Sequence, residues 1–220
     1  MKTIWFIRHA ESLSNAGFPT DTPHEIGLSE KGLRQAEALG EQWRAEAEPE
    51  VMVVSRYART GFTAEPLRRR LPAVPVITLP LHELTFLAPA RYIGTTETLR
   101  REPARQYWER CDPDYCDGEG AESFREFCAR IDDSLAALRE RAESRIVVVC
   151  HGYVIKAILW RQMNPGAPVT AAYMRGFFDF HLRCVVPNLM VYPFECEGDA
   201  PLFMLTPFQI QVDAAERQAA

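Results

Sequence analysis

The chain has 220 residues, of which 47% are hydrophobic and 25% charged, a composition typical of a folded chain with a sizeable core. Its net charge of −5 argues against a nucleic-acid partner, because an acidic chain repels a phosphate backbone. The longest strongly apolar stretches, such as residues 185–194, are far shorter than the ~18 residues that a membrane span needs. We therefore expect no membrane partner.

The N-terminus and the cysteines favour a cytoplasmic protein. Residues 1–8 lack the long apolar region and the small-residue cleavage site of a signal peptide. The six cysteines are scattered, and in a cytoplasmic chain they need not pair. Cys111 and Cys116 are close in sequence, but no second close pair follows, so a zinc site is not predicted. We expect neither a metal nor a cofactor.

The first half of the chain alternates short apolar runs with segments of helical period. Residues 4–7 and 51–54 are apolar on both side-chain phases, which is typical of strands buried on both faces. Between them, residues 29–44 predict a helix that Ser29 caps and that buries a stripe including Leu33. A second helix is expected to leave the strand at residues 51–54, and another apolar run follows at residues 76–79.

The second half begins with an interruption of this alternation. Residues 85–120 contain no run that predicts a buried strand, so we interpret them as an excursion over the edge of the sheet. A segment of this length is commonly a lid or a substrate-recognition element. A clear helix is predicted at residues 123–142, a buried strand at 146–150, and a partly antiparallel hairpin within residues 189–205.

This alternation predicts an α/β fold with a mainly parallel central sheet covered by helices on both faces. No repeat or low-complexity segment divides the chain. We expect residues 1–220 to form a single domain with a lid insertion at about residues 85–120.

Basic side chains follow three of the predicted strands. Arg8 and His9 end the first strand, His151 follows the strand at residues 146–150, and Arg59 falls on the helix that leaves residues 51–54. Open α/β sheets place their sites at the carboxyl ends of strands. Because two of only five histidines occupy equivalent strand ends, we predict that they share a functional site.

Phosphoryl transfer would suit these side chains. The reaction needs positive donors around the oxygens that gain charge, and a nucleophile in line with the leaving group. Arg8, Arg59 and His151 could form such a clamp. His9 must be neutral to attack, and the two arginines would lower its pKa.

The sequence resembles the histidine phosphatase superfamily, which includes cofactor-dependent phosphoglycerate mutases and broad-specificity phosphatases. The resemblance covers most of the chain. It is carried by Arg8-His9-Ala10-Glu11-Ser12 with Ala10 in place of the usual Gly, residues 28–32 and 34–36, Ser55 with Arg59, Thr63 and Ala64, residues 120–124, and His151-Gly152. The chain departs from the family pattern at Phe62, where Gln is frequent, and at Tyr153, where a second Gly is common.

The resemblance implies an α/β/α sandwich and a glutamate as the acid at Glu83, which follows the apolar run at residues 76–79. We predict that His9 takes the phosphoryl group and that Glu83 protonates the leaving alcohol. Asn15 could reach a phosphate oxygen, and Gly152 is assigned to the phosphate site.

The predicted activity is metal-independent hydrolysis of a small phosphate monoester through a phosphohistidine intermediate, without a cofactor. A phosphoglycerate mutase is the alternative enzyme, but residues 84–87, Leu-Thr-Phe-Leu, are apolar where such mutases resemble one another in Arg-His-Tyr-Gly. A non-catalytic module that binds a phospho-ligand is the alternative of another class. It would predict loss of His9, Glu83 or His151, and all three are present.

Several further residues are given an expected location but no role in catalysis. His24 and His82 are expected on the surface, and His181 and Asn188 are left outside the site. The aromatic residues around His181 suit the core or a surface between two copies, so a homodimer is one expectation. The candidate substrate contacts in the lid are Arg91, Arg100, Arg101, Trp108 and Arg110.

Overall fold

The computed structural model describes residues 1–44, 48–198 and 200–212. In these residues one seven-stranded sheet forms the centre of the molecule. Its strands are β1 (Lys2–Arg8), β2 (Val51–Val54), β3 (Val76–Thr78), β4 (Arg145–Cys150), β5 (Met190–Cys196), β6 (Phe203–Met204) and β7 (Phe208–Gln209). They lie in the order β3-β2-β4-β1-β5-β6, and β7 pairs with β5.

The strands predicted from apolar runs are the parallel part of this sheet. β1 and β2 flank β4, and both pair with it in parallel, while β3 pairs with β2. All four residues of β2 are buried, as expected for a strand covered on both faces. The predicted C-terminal hairpin is confirmed, because β5 is antiparallel to β1, β6 and β7.

Among the described residues, six α-helices cover the two faces of the sheet. They are α1 (Glu30–Gln42), α2 (Ala58–Arg70), α3 (Glu97–Arg110), α4 (Phe124–Glu140), α5 (Gly152–Met163) and α6 (Ala171–Arg183). One core cluster joins the sheet to α1 and α2 through Leu39 and Leu67. The other joins the opposite face to α3, α4, α5 and α6 through side chains such as Phe127, Ile158 and Phe177. The predicted α/β/α architecture is confirmed.

The predicted start of α1 is correct, but one predicted core residue is not. Ser29 caps the helix by accepting a hydrogen bond from the Gly32 backbone N–H at 3.0 Å. Leu33, expected in the buried stripe, is 54% exposed. Gly32 faces inward instead, where a Cβ would stand only 1.9 Å from the Glu11 carbonyl oxygen. The close approach of that loop requires a residue without a side chain and turns Leu33 to solvent.

Residues 85–120 contain helical structure that the sequence did not predict. They carry no strand of the sheet, but they hold a short 3-10 helix at Pro89–Arg91 and the 14-residue helix α3. Tyr107 and Trp108 of α3 are buried in the main core. This segment is therefore anchored to the sheet layer by aromatic packing.

Close packing between α1 and α2 generates a stability prediction. A Cβ on Gly40 of α1 would lie 2.8 Å from the Pro66 Cβ and 2.9 Å from its carbonyl carbon. We expect Gly40→Val to lower the free energy of unfolding by about 1–3 kcal/mol, because the helices must move apart. The matched control is Gly61→Val on α2, where no atom lies within 4 Å of the new Cβ. It should change stability by no more than about 0.5 kcal/mol in denaturant unfolding. Equal losses in both variants would contradict this account.

Candidate active site

A cavity of about 510 Å³ opens at the carboxyl edge of the parallel strands. Most of the predicted site residues line it, namely Arg8, His9, Asn15, Arg59, Glu83 and Gly152. The remaining one, His151, is fully buried beside His9, with 5.1 Å between the two ring centroids. The structure thus brings together all seven residues that the sequence assigns to the site.

Strand register places the two histidines side by side. Arg8 is the register partner of Cys150 in the parallel pair of β1 and β4. The His9 backbone N–H donates to the Cys150 carbonyl at 2.9 Å, one residue beyond the last strand position. Both strands end at this point, so the side chains of His9 and His151 meet at one edge of the sheet.

The hydrogen bonds of His9 define its tautomer. Its Nδ1 lies 2.6 Å from the Ala10 carbonyl oxygen, which can only accept, so Nδ1 carries the proton. Its Nε2 accepts from the Arg59 Nε at 3.2 Å, and an arginine nitrogen can only donate. The lone pair of His9 therefore resides on Nε2. Burial lowers the pKa of His9 well below its usual range, and the charges of Arg59 and Arg8 lower it further.

The two arginines bring positive charge to the cavity, and no carboxylate of the described residues forms an ion pair with either of them. Arg59 donates to the Pro23 carbonyl at 2.8 Å and stacks over the Tyr57 ring at 4.8 Å. Arg8 donates to the Val186 carbonyl at 2.6 Å, and its buried Nε has no hydrogen-bond partner among the described residues. A buried Arg59, a half-buried Arg8 and an unused donor suit an anionic ligand.

His151 offers one more unused nitrogen. Its Nε2 lies 2.7 Å from the Ser55 hydroxyl, and Ser55 is in turn fixed by the Tyr57 backbone N–H and by Thr60. Its Nδ1 is buried and has no partner in the described part of the chain. Burial lowers the pKa of His151 well below its usual range, with Arg59 as the next contributor, so the ring is neutral near pH 7.

Glu83 is held at the same edge from two sides. Its Oε1 accepts the Tyr153 backbone N–H at 3.0 Å. Its own carbonyl accepts from Arg130 at 3.4 Å, and Arg130 is paired with Glu122 at 2.6 Å. Burial raises the pKa of Glu83, although Arg59 and Arg8 oppose this shift. A carboxyl group with a raised pKa can serve as a proton donor.

Gly152 and Asn15 complete the predicted set. A Cβ on Gly152 would lie 3.6 Å from the Arg8 Nε and 3.8 Å from the Glu83 Oε2, so its missing side chain leaves space between those groups. Asn15 is oriented by Asn188, whose Nδ2 donates to the Asn15 Oδ1 at 3.2 Å and to the His9 carbonyl at 2.8 Å. Asn188 thus positions the loop that follows β1.

The lid candidates fall into two groups. Arg100, Arg101 and Trp108 line the cavity. Arg91 instead pairs with Asp117 at 2.6 Å, and the Arg110 guanidinium lies 3.9 Å from the centroid of the Tyr115 ring, so neither faces the cavity.

Two expectations about histidines were wrong, and one lysine was overlooked. His82 is only 7% exposed, because it packs against Tyr57 and accepts from Arg56 at 3.2 Å. His181, left outside the site, lines the cavity together with Lys156. Lys156 was overlooked because it lies within an apolar helix, and its position in the sequence does not indicate that it reaches the cavity. His24 is exposed, as expected.

The described residues contain neither a candidate metal site nor a candidate membrane span. They contain no group of three or more His, Cys, Asp or Glu side chains that could hold a metal ion. None of their helices is long and apolar enough to cross a membrane.

The site as a whole can stabilise a phosphoryl group. It combines a neutral imidazole whose Nε2 carries the lone pair, cationic donors and a carboxyl group with a raised pKa around one cavity. A sequence model of the histidine phosphatase superfamily (branch 1) matches residues 4–180. This chain belongs to that superfamily, which confirms the resemblance found in its motifs.

Individual relatives agree with this assignment. The chain is 28% identical over 160 residues to a metal-independent phosphoserine phosphatase of Arabidopsis thaliana, covering 72% of this chain and 67% of the relative. The alpha-ribazole phosphatase of Shigella flexneri has the same fold, with a TM-score of 0.70 and 22% identity over 96% of this chain and 99% of that one. The phosphoserine phosphatase of Entamoeba histolytica, solved with 3-phosphoglyceric acid, gives a TM-score of 0.69 and 17% identity over the same shares. The chain is a phosphatase of the histidine phosphatase family.

Buried neutral histidines predict how stability depends on pH. Burial keeps the pKa of His9 and His151 well below 6.5 and lowers the pKa of His82 to about 3 and that of His181 to about 4. Below pH 6.5 the unfolded chain binds protons that the native state does not, so stability should fall as the pH drops from 7 to 5. Each fully buried histidine contributes up to about 1.4 kcal/mol per pH unit, and the raised pKa of Glu83 opposes this with one group.

Denaturant unfolding at several pH values between 5 and 7.5 measures this slope. The variant His181→Gln removes one of the four groups and should give a shallower slope than the wild type. A flat profile, or stability that rises toward pH 5, would contradict the neutral state of these rings.

Proposed function

We propose that this phosphatase hydrolyses small phosphate monoesters without a metal, through a phosphohistidine intermediate on His9. The observation that carries the proposal is the hydrogen-bond pattern of His9, whose protonated Nδ1 places the lone pair on Nε2; there it accepts from the Arg59 Nε at 3.2 Å and would exchange this hydrogen bond for a bond to phosphorus. Arg8, Arg59 and His151 then supply the donors around the phosphoryl oxygens.

The first step transfers the phosphoryl group to the protein. The His9 Nε2 lone pair forms a bond to phosphorus as the bond from phosphorus to the alcohol oxygen breaks. Glu83, whose pKa is raised by burial, gives its proton to the departing oxygen. In the tautomer that we assign to His151, the Ser55 hydroxyl donates to Nε2, and the Nδ1–H is free to bind a phosphoryl oxygen.

The second step regenerates the enzyme. Glu83, now a carboxylate, takes a proton from a water molecule, whose oxygen attacks phosphorus. The bond from phosphorus to the His9 Nε2 breaks, and inorganic phosphate leaves. Burial of the nucleophile beside two arginines favours its neutral form, so His9 is ready for the next cycle.

Hydrolysis is favoured over a phosphoglycerate mutase reaction. Leu84, Phe86 and Leu87 line the cavity beside Glu83, and these apolar side chains stand where such mutases resemble one another in Arg-His-Tyr-Gly. The metal-independent relative from Arabidopsis also carries the name of a phosphatase. A cytoplasmic location and a homodimer stay predictions from the sequence.

The decisive test is to trap the intermediate. Acid quench should destroy, and alkaline quench should preserve, a phosphoryl adduct that maps to His9, because a phosphorus–nitrogen bond to imidazole hydrolyses readily in acid. His9→Ala should lose both adduct and turnover, and turnover by the wild type should survive EDTA. An acid-stable adduct on a serine, or activity that disappears with EDTA, would overturn the mechanism. Binding of phosphate esters without any turnover would favour the non-catalytic module.

The role of Glu83 predicts a dependence on the leaving group. Glu83→Gln keeps size and hydrogen bonding but cannot transfer a proton, so phosphorylation by an alkyl phosphate should slow by roughly 10²- to 10⁴-fold. With p-nitrophenyl phosphate that step needs little protonation and should change little. Loss of the base should then give a burst of p-nitrophenol followed by slow turnover. Stopped-flow measurement distinguishes this from equal slowing of both substrates without a burst, which would assign Glu83 a purely structural role.

A further inference from the structure

Lys156 brings a buried positive charge to the wall of the active-site cavity. It lies on α5, is only 9% exposed, and lines the same cavity as His9 and Glu83. Its Nζ donates to the Nδ1 of His181 at 3.1 Å and to the His181 carbonyl at 3.0 Å. Across the described ranges, no carboxylate lies within ion-pair distance of this ammonium group. A buried ammonium without a counter-charge is costly, and a bound anion would offset that cost.

The hydrogen bonds leave two donors unused on this wall. An ammonium group has three N–H donors, and His181 takes two of them. Because the His181 Nδ1 accepts from Lys156, the proton of the neutral ring is on Nε2. That Nε2–H also has no partner in the described part of the molecule. The two residues therefore present two neighbouring donors and one positive charge.

The position of Lys156 associates these donors with the leaving group. Lys156 lies one helical turn after Tyr153, whose backbone N–H holds the Glu83 carboxyl group at 3.0 Å. The ring of His181 stacks on that of Tyr153 at 4.4 Å with an interplanar angle of 5°. Glu83 protonates the departing alcohol in the proposed mechanism, so the alcohol occupies the side of the cavity that Lys156 shares.

We propose that Lys156 and His181 bind a carboxylate on the leaving alcohol, and that the preferred substrates are phosphate monoesters of carboxylate-bearing alcohols. This inference rests on the proposed hydrolytic function. A carboxylate matches one cation and two neighbouring donors, each oxygen taking one hydrogen bond. A second phosphate would bring up to two charges to this wall, where Lys156 is the one cation among the cavity-lining residues of α5 and α6.

The arginines of α3 that line the cavity provide the comparison. Arg100 is held by hydrogen bonds to Thr95, Thr20 and Ser14, and Arg105 is paired with Glu102 and Glu109. Arg101 also lines the cavity, but it lies on the exposed side of α3 and has no ion pair among the described residues. A water-exposed cation gains little from binding an anion, because solvent and salt screen the attraction. Discrimination for the carboxylate is therefore assigned to Lys156.

The test uses two substrates that differ in one charge. They are 3-(phosphonooxy)propanoate and its neutral amide, which have the same chain length and a primary alcohol as leaving group. The wild type should show a kcat/KM for the acid at least ~10-fold above that for the amide. Lys156→Met should reduce this ratio to about 1, and Lys156→Arg should retain part of it. Arg101→Met and the surface control Lys31→Met should keep the wild-type ratio.

Each other outcome overturns the inference. Three outcomes would show that Lys156 does not select the carboxylate. They are a wild-type ratio near 1, equal slowing of both substrates in Lys156→Met, and loss of the ratio in Arg101→Met. In all three cases turnover and the His9 adduct would persist, so the proposed hydrolysis would stand. If neither ester nor p-nitrophenyl phosphate is hydrolysed and no adduct forms, the proposed function fails and this inference fails with it.

Discussion

Parallel pairing of β1 with β4 is the constraint on which the site depends. Six consecutive residue pairs lock the two strands in register, ending with Arg8 opposite Cys150. A slip by one residue would turn His9 toward the opposite face of the sheet, because side chains alternate along a strand. The buried apolar residues that fix this register therefore also fix the distance between the two histidines. Core packing and catalytic geometry cannot vary independently here.

Burial is the second determinant of the chemistry. The sequence suggested that the two arginines lower the pKa of His9, but desolvation is the larger cause and the arginines add to it. The same desolvation raises the pKa of Glu83 against the pull of both arginines. Burial thus favours the uncharged form of both side chains, which is the form that the proposed nucleophile and the proposed acid need. Desolvation is the largest cause of both pKa shifts.

Much of the fold and site could be predicted because the signals are local. Apolar runs mark the central strands, and a residue that directly follows such a run must lie at the edge of the sheet. The helix α3 was missed because Pro103 lies inside it, which is unusual for a helix, and because few of its side chains are buried. Lys156 and His181 could not be found, since their meeting depends on how α5 packs against α6. His82 was misplaced for the same reason, because distant residues bury it.

The anchoring of α3 has a consequence for how this enzyme can change. Arg100 donates to Thr95, to Thr20 and to Ser14, and it stacks over the Tyr92 ring at 4.4 Å. This single side chain fastens the start of the helix to the loop after β1. Arg101 also lines the cavity but makes none of these contacts. The cavity wall can therefore vary at that position in related enzymes without loosening α3 or displacing Arg8, His9 and Arg59.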